Sequence, residues 1–430
     1  MRKHLKKIIS SVIFSLMVIT GVAFSEYFPD IIVTSPNGAW TDTRAYSSIN
    51  SALSAIGANA RDIYILRQEV TSNLTIPATA RLHFMRSGSI ANTGQLTINT
   101  KDINAGNYRI FTGVGNIDFA SGSVVKSGWF NNFETALALT VNDTVTIQVT
   151  DSATLTGSYN LGNNVSLKWD SPGNVLTVNA GVTIGNIMDI EAGEYLIMTG
   201  AGNFRFRDGT KLKLSWFNHV RSAITYISTS RVNLTSSIPS TVDYSDTIPS
   251  TVTMQVNNGG ALTISTGNTL TINASFNAGD HPAFICVGTG KVLGLTLTKS
   301  IWFNTTGDGV ADDRLPMQQA FESVADGGKL IVNKGSYKII NAVGVGATSV
   351  LQRANAVANG TLYPLTVSAN NVTVEIAGDL AATTLLEDLI NVTGTNVNII
   401  GKGGSLTGCG TFLDTNSMDT TEQWNPSLLH

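Results

Sequence analysis

The chain repeats itself at long range. Trp40, Trp129, Trp216 and Trp302 are spaced by 89, 87 and 86 residues, and the last three each open a Trp-Phe-Asn triplet. Other landmarks keep the same step. Ala105-Gly106, Ala192-Gly193 and Ala278-Gly279 recur at 87 and 86 residues, and the pairs Gly113/Gly115, Gly200/Gly202 and Gly288/Gly290 at 87 and 88. Separate markers held in phase point to duplicated units, starting near residues 40, 129 and 216. A unit of about 87 residues is too long for one coil of a solenoid but divides into about four coils of 20 to 30 residues.

Each unit uses the same local grammar. Ile49, Leu53 and Ile56 stand at i, i+4 and i+7, as do Val220, Ile224, Ile227 and Met317, Phe321, Val324; Phe133 and Leu137 give a shorter version ending on Thr140. That spacing places one apolar face on a short helix. Alternating apolar residues follow at Ile63/Ile65, Val145/Ile147/Val149, Val232/Leu234 and Leu330/Val332. Brief runs such as Leu96-Thr97-Ile98, Leu176-Thr177-Val178, Leu262-Thr263-Ile264 and Leu270-Thr271-Ile272 are set off by Asn, Gly and Ser. Short strands and tight turns are expected throughout. Val, Ile and Leu then point inward, while Thr fits a pleated outer face and Asn the left-handed corners. The fold expected is all-β, a right-handed parallel β-helix (solenoid) with a short helix opening each unit of about 87 residues. At a strand spacing of ~4.8 Å the repeated part would form a rod roughly 55 to 60 Å long. A string of sandwich domains of about 90 residues is the competing all-β reading.

Charge and targeting narrow the function. Arg2, Lys3, Lys6 and Lys7 precede an apolar run from Ile8 to Val22, and Ala23-Phe24-Ser25 reads as a cleavage site before Glu26. The apolar run falls short of the ~20 residues of a spanning helix, so residues 1–25 are expected to be a signal peptide, the product secreted or at the cell surface, with no stable membrane span after cleavage. Without the leader, 23 basic residues face 30 acidic ones, which offers no footprint for nucleic acid. The two cysteines, Cys286 and Cys409, are too few for a disulfide scaffold, and Cys286 lies in an apolar run that suits a small buried hydrophobe. His4, His83, His219, His281 and His430 show no metal-ligand spacing.

The fourth unit differs by insertion. It reads Gly307-Asp308-Gly309-Val310-Ala311-Asp312-Asp313, then a helix over Arg314 to Val324, then Gly327-Gly328-Lys329-Leu330-Ile331-Val332 and Gly335-Ser336-Tyr337. Farther on stands Ile399-Ile400-Gly401-Lys402-Gly403-Gly404-Ser405-Leu406-Thr407-Gly408, with Trp424 beyond. This order resembles the opening of the pectate lyase superfamily, right-handed parallel β-helix proteins that include polygalacturonases, rhamnogalacturonases and phage tailspikes. The resemblance covers residues 301–430. Arg314 replaces the usual Thr, Asn333-Lys334 lacks the usual Pro, and Thr407 replaces an Asp. The expected domain plan is a signal peptide at 1–25, a repeated stem at 26–300 and the start of a superfamily domain at 301–430, whose catalytic rungs the resemblance would place beyond residue 430.

The motif residues Gly307, Asp308, Gly309, Asp312, Asp313, Gly335 and Tyr337 are expected to be structural. Asp312 or Asp313 would cap the helix that follows, with Pro316 tolerated in its first turn. No Lys-Ser/Thr follows the glycines, so a nucleotide loop is excluded. Of the catalytic marks of polygalacturonases, His-Gly and Arg-x-Lys do not occur. Glu375 with Asp379, and Asp189, Glu191, Glu194 and Asp208, are the remaining acidic candidates, and the catalytic residues are left unassigned. The resemblance implies a lyase or glycoside hydrolase acting on polysaccharide. A glycan-binding adhesin or tailspike-like fibre without turnover is the alternative, and a scaffolding role in a surface layer a third reading. No cofactor is evident, calcium entering only if the activity is that of a lyase, and the resemblance leaves a homotrimer open. Residues 26–430 alone are expected not to cleave polysaccharide.

Overall fold

A computed structural model describes residues 40–57, 59–140, 142–340, 365–386, 389–409 and 413–414. The leader and Trp424 lie outside the described residues. Among the described residues no helix is long and apolar enough to cross a membrane.

The protein is predominantly β, built from many parallel sheets. It divides into two compact units, Met1–Gly193 with Gly200–Phe204, and Glu194–Thr199 with Arg205–His430. In the first, the sheet Trp40–Asp42, Arg61–Ile65, Ala80–Phe84, Ile103–Asn104 pairs in parallel throughout, as does Ser123–Lys126, Val145–Gln148, Val165–Lys168, Asp189–Glu191. In the second, the same arrangement recurs with Lys211–Lys213, Val232–Ser236, Val252–Val256, Ser275–Asn277 and with Leu295–Lys299, Val324–Val332, Thr373–Ile376, Asn398–Gly401. Up to Leu293 paired residues lie a short way apart, from 19 residues for Arg61 with Ala80 to 25 for Tyr159 with Ile184. Beyond it the step also reaches 32 between Leu297 and Lys329 and 44 between Lys329 and Thr373. Sandwich domains are built from antiparallel sheets, so the parallel pairing removes that reading.

Period-2 alternation carries the register. Ile63 and Leu82 stack inward in the first sheet, Ile147 and Leu167 in the next, Leu234 and Met254, and Leu330 and Val374, in the second unit, all essentially without exposure. A one-residue slip would turn each of these to solvent, which fixes the pairing. Cutting any one back to Ala costs about 2 to 5 kcal/mol. The Gly-x-Gly landmark is a place of contact: a Cβ on Gly113 would sit 2.1 Å from the Asn92 carbonyl oxygen, and one on Gly115 2.3 Å from that of Gly94.

Four helices punctuate the described residues: α1 (Ile49–Ile56), α2 (Phe133–Thr140), α3 (Val220–Ile227) and α4 (Arg314–Ser323). Ser48 caps α1 by accepting from the Ser51 N–H at 3.2 Å, and Asn132 caps α2 by accepting from Thr135 at 2.8 Å. The faces are as the periodicity predicts with two adjustments. In α3 the buried set is Val220, Ala223, Tyr226 and Ile227, with Ile224 half-buried. Helix α4 stops at Ser323, and Val324 already begins a strand. Cys286 also departs from expectation. It is only half-buried: alternation turns Ile285 and Val287 outward and Cys286 inward, but at the end of strand Phe284–Cys286 the thiol is not fully covered; burial, then the Glu322 charge, push it up to about 12.

The tryptophans show what the repeat builds. Trp129, Trp216 and Trp302 are 2%, 2% and 0% exposed, each in a single 3-10 turn directly after a strand. Three residues earlier stands a lysine, Lys126, Lys213 or Lys299, with its ammonium 5.8, 5.8 and 5.9 Å from the ring centroid. The Trp129 indole N–H donates to the Gly106 carbonyl at 3.1 Å and that of Trp302 to Gly279 at 2.7 Å, which explains why an Ala-Gly pair keeps step with the tryptophans. Trp40 does not belong to this set. It lies within a strand, half exposed, and the 3-10 turn comes after it at Thr43–Ala45. Trp129 and Trp216 stand four residues before the first residue of their helices, and in the first unit that place is held by Ala45.

Candidate functional site

The opening motif folds around one aromatic ring. Strands Asp308–Asp312 and Ser336–Ile339 pair in parallel, Asp308 opposite Ser336, and bring Gly307 and Gly335 together over Tyr337. A Cβ on Gly307 would lie 3.0 Å from the ring, one on Gly335 3.2 Å from it, and one on Gly378 2.5 Å from it. Glycine is required at these positions because the ring occupies the space of a side chain. Tyr337 is buried, donates its hydroxyl proton to the Asn333 carbonyl at 3.0 Å, and has its phenol pushed above the ordinary range chiefly by burial.

The aspartates of the motif divide the work between helix and loop. Asp313 has the position of helix N-cap, but its side chain makes no bond to the helix. Fully buried, it accepts from the Thr306 and Gly307 N–H groups, at 2.5 and 3.0 Å, and ties the preceding loop to the helix start. Burial raises its carboxyl, offset in part by those two bonds. Asp312 reaches the first helical N–H, that of Arg314, at 3.0 Å, and also accepts from Ile340 at 3.1 Å. Asp308 is exposed and closes a turn on the Val310 and Ala311 N–H groups, whose bonds hold its carboxyl below the ordinary range. Gly309 lies in that turn at φ 73°.

The other acidic candidates are separately engaged. Glu375 pairs with Lys329 across a strand pair at 2.9 Å, while Asp379, in a different sheet, accepts from the Ser405 backbone and hydroxyl. In the first unit Asp189 accepts from the Ser166 hydroxyl and Glu191 pairs with Lys168 at 2.8 Å. In the second, Glu194 pairs with Lys213 at 3.2 Å and accepts from the Ser215 hydroxyl, and Asp208 accepts from the Arg231 N–H. Among the described residues no group of three or more His, Cys, Asp or Glu side chains stands close enough to hold a metal ion. A shallow groove of about 340 Å³ lies beside α2, lined by Val114, Glu134, Leu139 and Tyr159 among others; the Glu134 carboxylate accepts from Thr156 and Gly157.

One cluster was not foreseen. On the outward face of the first sheet, Asp62 stands opposite Trp40 and Arg81, and Tyr64 opposite His83, with Asn104 next. Arg81 approaches Asp62 through Nε at 2.7 Å and Nη2 at 3.1 Å, and His83 Nε2 lies 3.0 Å from the same carboxylate. The Tyr64 and His83 rings stack at 4.7 Å and 12°, and Trp40 meets Tyr64 at 5.9 Å and 79°. Burial, then the Asp62 charge, raise the Tyr64 phenol. The sequence holds the signal only in the outward alternation of Asp62/Tyr64 and Arg81/His83, which becomes a cluster once the strands are set 19 residues apart.

Comparison of the chain with family models, curated proteins and solved structures returned no match.

Proposed function

We propose that this protein is a right-handed parallel β-helix that engages polysaccharide by binding it, acting after export as a secreted or surface protein. The observation that carries the reading is the set of parallel ladders. Steps of 19 to 25 residues bring identical or complementary polar side chains into register on outer faces, as in Thr154 with Thr177, Thr241 with Thr263, Thr247 with Thr271, and Asp62 with Arg81. A flat face of stacked hydroxyls and paired charges complements a polymer whose own surface is hydroxyl at regular intervals. The acidic candidates singled out from sequence are each engaged by a neighbouring side chain or backbone N–H, which suits a binding surface.

A processing enzyme of the pectate lyase superfamily is the second reading, favoured by the packing of Gly307, Gly335 and Gly378 on Tyr337, which accounts for the residues that the resemblance rests on. The experiment that separates the two is to incubate the purified protein with insoluble and soluble polysaccharides, with and without calcium. Co-sedimentation without new reducing ends or unsaturated products supports binding. Reproducible product formation above a heat-killed control moves the assignment to the enzyme, and absence of both defeats the proposal.

A further inference from the structure

We propose that the outward face formed by Trp40, Asp62, Tyr64, Arg81, His83 and Asn104 is a subsite for a neutral hexopyranose residue of a glycan chain. The inference rests on the polysaccharide-binding reading and assigns it a place and a ligand class.

The repeat itself supplies the contrast. The turn tryptophans Trp129 and Trp302 are in the core, each under a lysine and bonded to a carbonyl. In the first unit the turn position is the exposed Ala45, and the indole has moved to Trp40, half exposed on a strand. The turn is held instead by Asp42, which accepts from the Arg44 backbone at 2.9 Å and from its guanidinium at 2.8 Å. Trp40 is therefore not needed to fill the position its counterparts fill. It lies 79° from the plane of Tyr64, so it stands outside the Tyr64–His83 stack.

The hydrogen-bonding capacity left over is mixed, as sugar hydroxyls require. Asp62 accepts from Arg81 Nη2 and meets His83 Nε2, with Arg81 Nε 2.7 Å away in the same ion pair, which leaves room among the about four bonds that a carboxylate can accept. Arg81 keeps further N–H donors beyond these contacts, with half of its side chain exposed. The Tyr64 hydroxyl has no protein partner among the described residues, and Asn104 meets His83 Nδ1 only at a long 3.4 Å. A pyranose has an apolar C–H face for the indole and equatorial hydroxyls that both donate and accept for the polar row. The Arg81 charge is already neutralised by Asp62, and a uronate carboxylate would be brought against the Asp62 carboxylate. The face therefore favours an uncharged sugar.

The test is calorimetric titration of the full chain with neutral gluco-, galacto- and manno-oligosaccharides and, separately, with oligogalacturonate. The same titrations are run on Trp40→Ala, Arg81→Gln and the control Val124→Ser, an exposed change on another sheet. The inference expects one neutral series to bind, with affinity lowered at least about tenfold in Trp40→Ala and Arg81→Gln and unchanged in the control. Circular dichroism checks that both variants stay folded, and Arg81→Lys, which keeps the charge without the bidentate fork, is expected to fall between them and wild type. Equal binding by wild type and both variants overturns the subsite while leaving the polysaccharide reading in place. Binding of oligogalacturonate alone overturns the neutral ligand class. Binding of nothing overturns both the subsite and the reading beneath it.

Discussion

The first turn of the repeat and the turn at Trp129 follow the same path. In each, a strand runs into a 3-10 turn, and an eight-residue helix begins four residues beyond its end, at Ile49 or at Phe133. What holds the turn differs. At Trp129 an indole enters the core, donates to Gly106 and lies beneath Lys126, which itself donates to Ala105 at 2.8 Å. At the first turn nothing aromatic enters. Asp42, 4% exposed, folds back on Arg44, and Glu69 accepts from the first N–H of α1 at 3.0 Å. One backbone can thus be fixed by an apolar anchor or by a buried ion pair. The second solution leaves a tryptophan available for the surface.

The largest expected effect tests whether the two indoles really differ in kind. Trp302→Ala removes a wholly buried ring and its hydrogen bond, and is expected to cost about 3 to 5 kcal/mol, read as a fall in the urea midpoint. Trp40→Ala, at a half-buried strand position, is expected to cost less, about 1 to 2 kcal/mol. Similar losses at both sites would erase the distinction between anchor and surface residue.

Next in size is the ion pair of the first turn. Arg44→Met leaves the Asp42 carboxylate, whose side chain is 3% exposed, without its guanidinium, and is expected to cost on the order of 3 kcal/mol. Lys126→Met and Lys299→Met leave no buried charge behind. They remove a cation from an indole and a bond to a carbonyl, and are expected to cost only about 0.5 to 1 kcal/mol. Thermal melts of the three variants side by side measure the difference between a turn held by charge and a turn held by a ring. If the lysine variants lose as much as Arg44→Met, the ammonium and not the indole is the principal support.

Much of this architecture was legible in the sequence because it rests on residue types with strong positional demands. Trp129, Trp216 and Trp302 keep phase since each fills a core position of fixed size, and the Leu-Thr-Ile runs show their inward and outward faces directly. Trp40 misled because spacing by residue identity matched it to the others, while the true counterpart, Ala45, carries no mark that alanine elsewhere lacks. The subsite was illegible for a different reason. Asp62 and Tyr64 meet Arg81 and His83 only through the parallel register, and that register depends on which of several apolar pairs stack. Motif matching likewise found Asp312 and Asp313 but could not tell which would face the helix, since neighbouring side chains diverge with the local backbone.

The smallest effect concerns the fourth turn, where the insertion adds a second way of anchoring loop to helix. Asp313 and Asp308 lie in the same motif but titrate in opposite directions from the ordinary aspartate value of 3.8. Burial raises Asp313, so its folded form takes up a proton more readily than the unfolded chain. Its contribution is therefore greatest below the unfolded value and declines as pH rises through the raised folded value. Asp308 is lowered by the Ala311 and Val310 N–H groups, so its contribution is present above the ordinary value and fades as pH falls through the lowered one. The two slopes oppose each other on either side of the ordinary value. Other shifted carboxylates titrate in the same range in every variant, so each slope is read as a difference from wild type. Asp308→Asn should lose less stability than wild type on acidification below 3.8, and Asp313→Asn should gain less or lose more than wild type on acidification towards it. Urea midpoints at several pH values between 3 and 6 measure both slopes, and carboxyl NMR titration of the wild type assigns them. Differences from wild type of the same sign in the two variants would mean that the buried carboxylate of the fourth turn is stabilised as an anion, like Asp308.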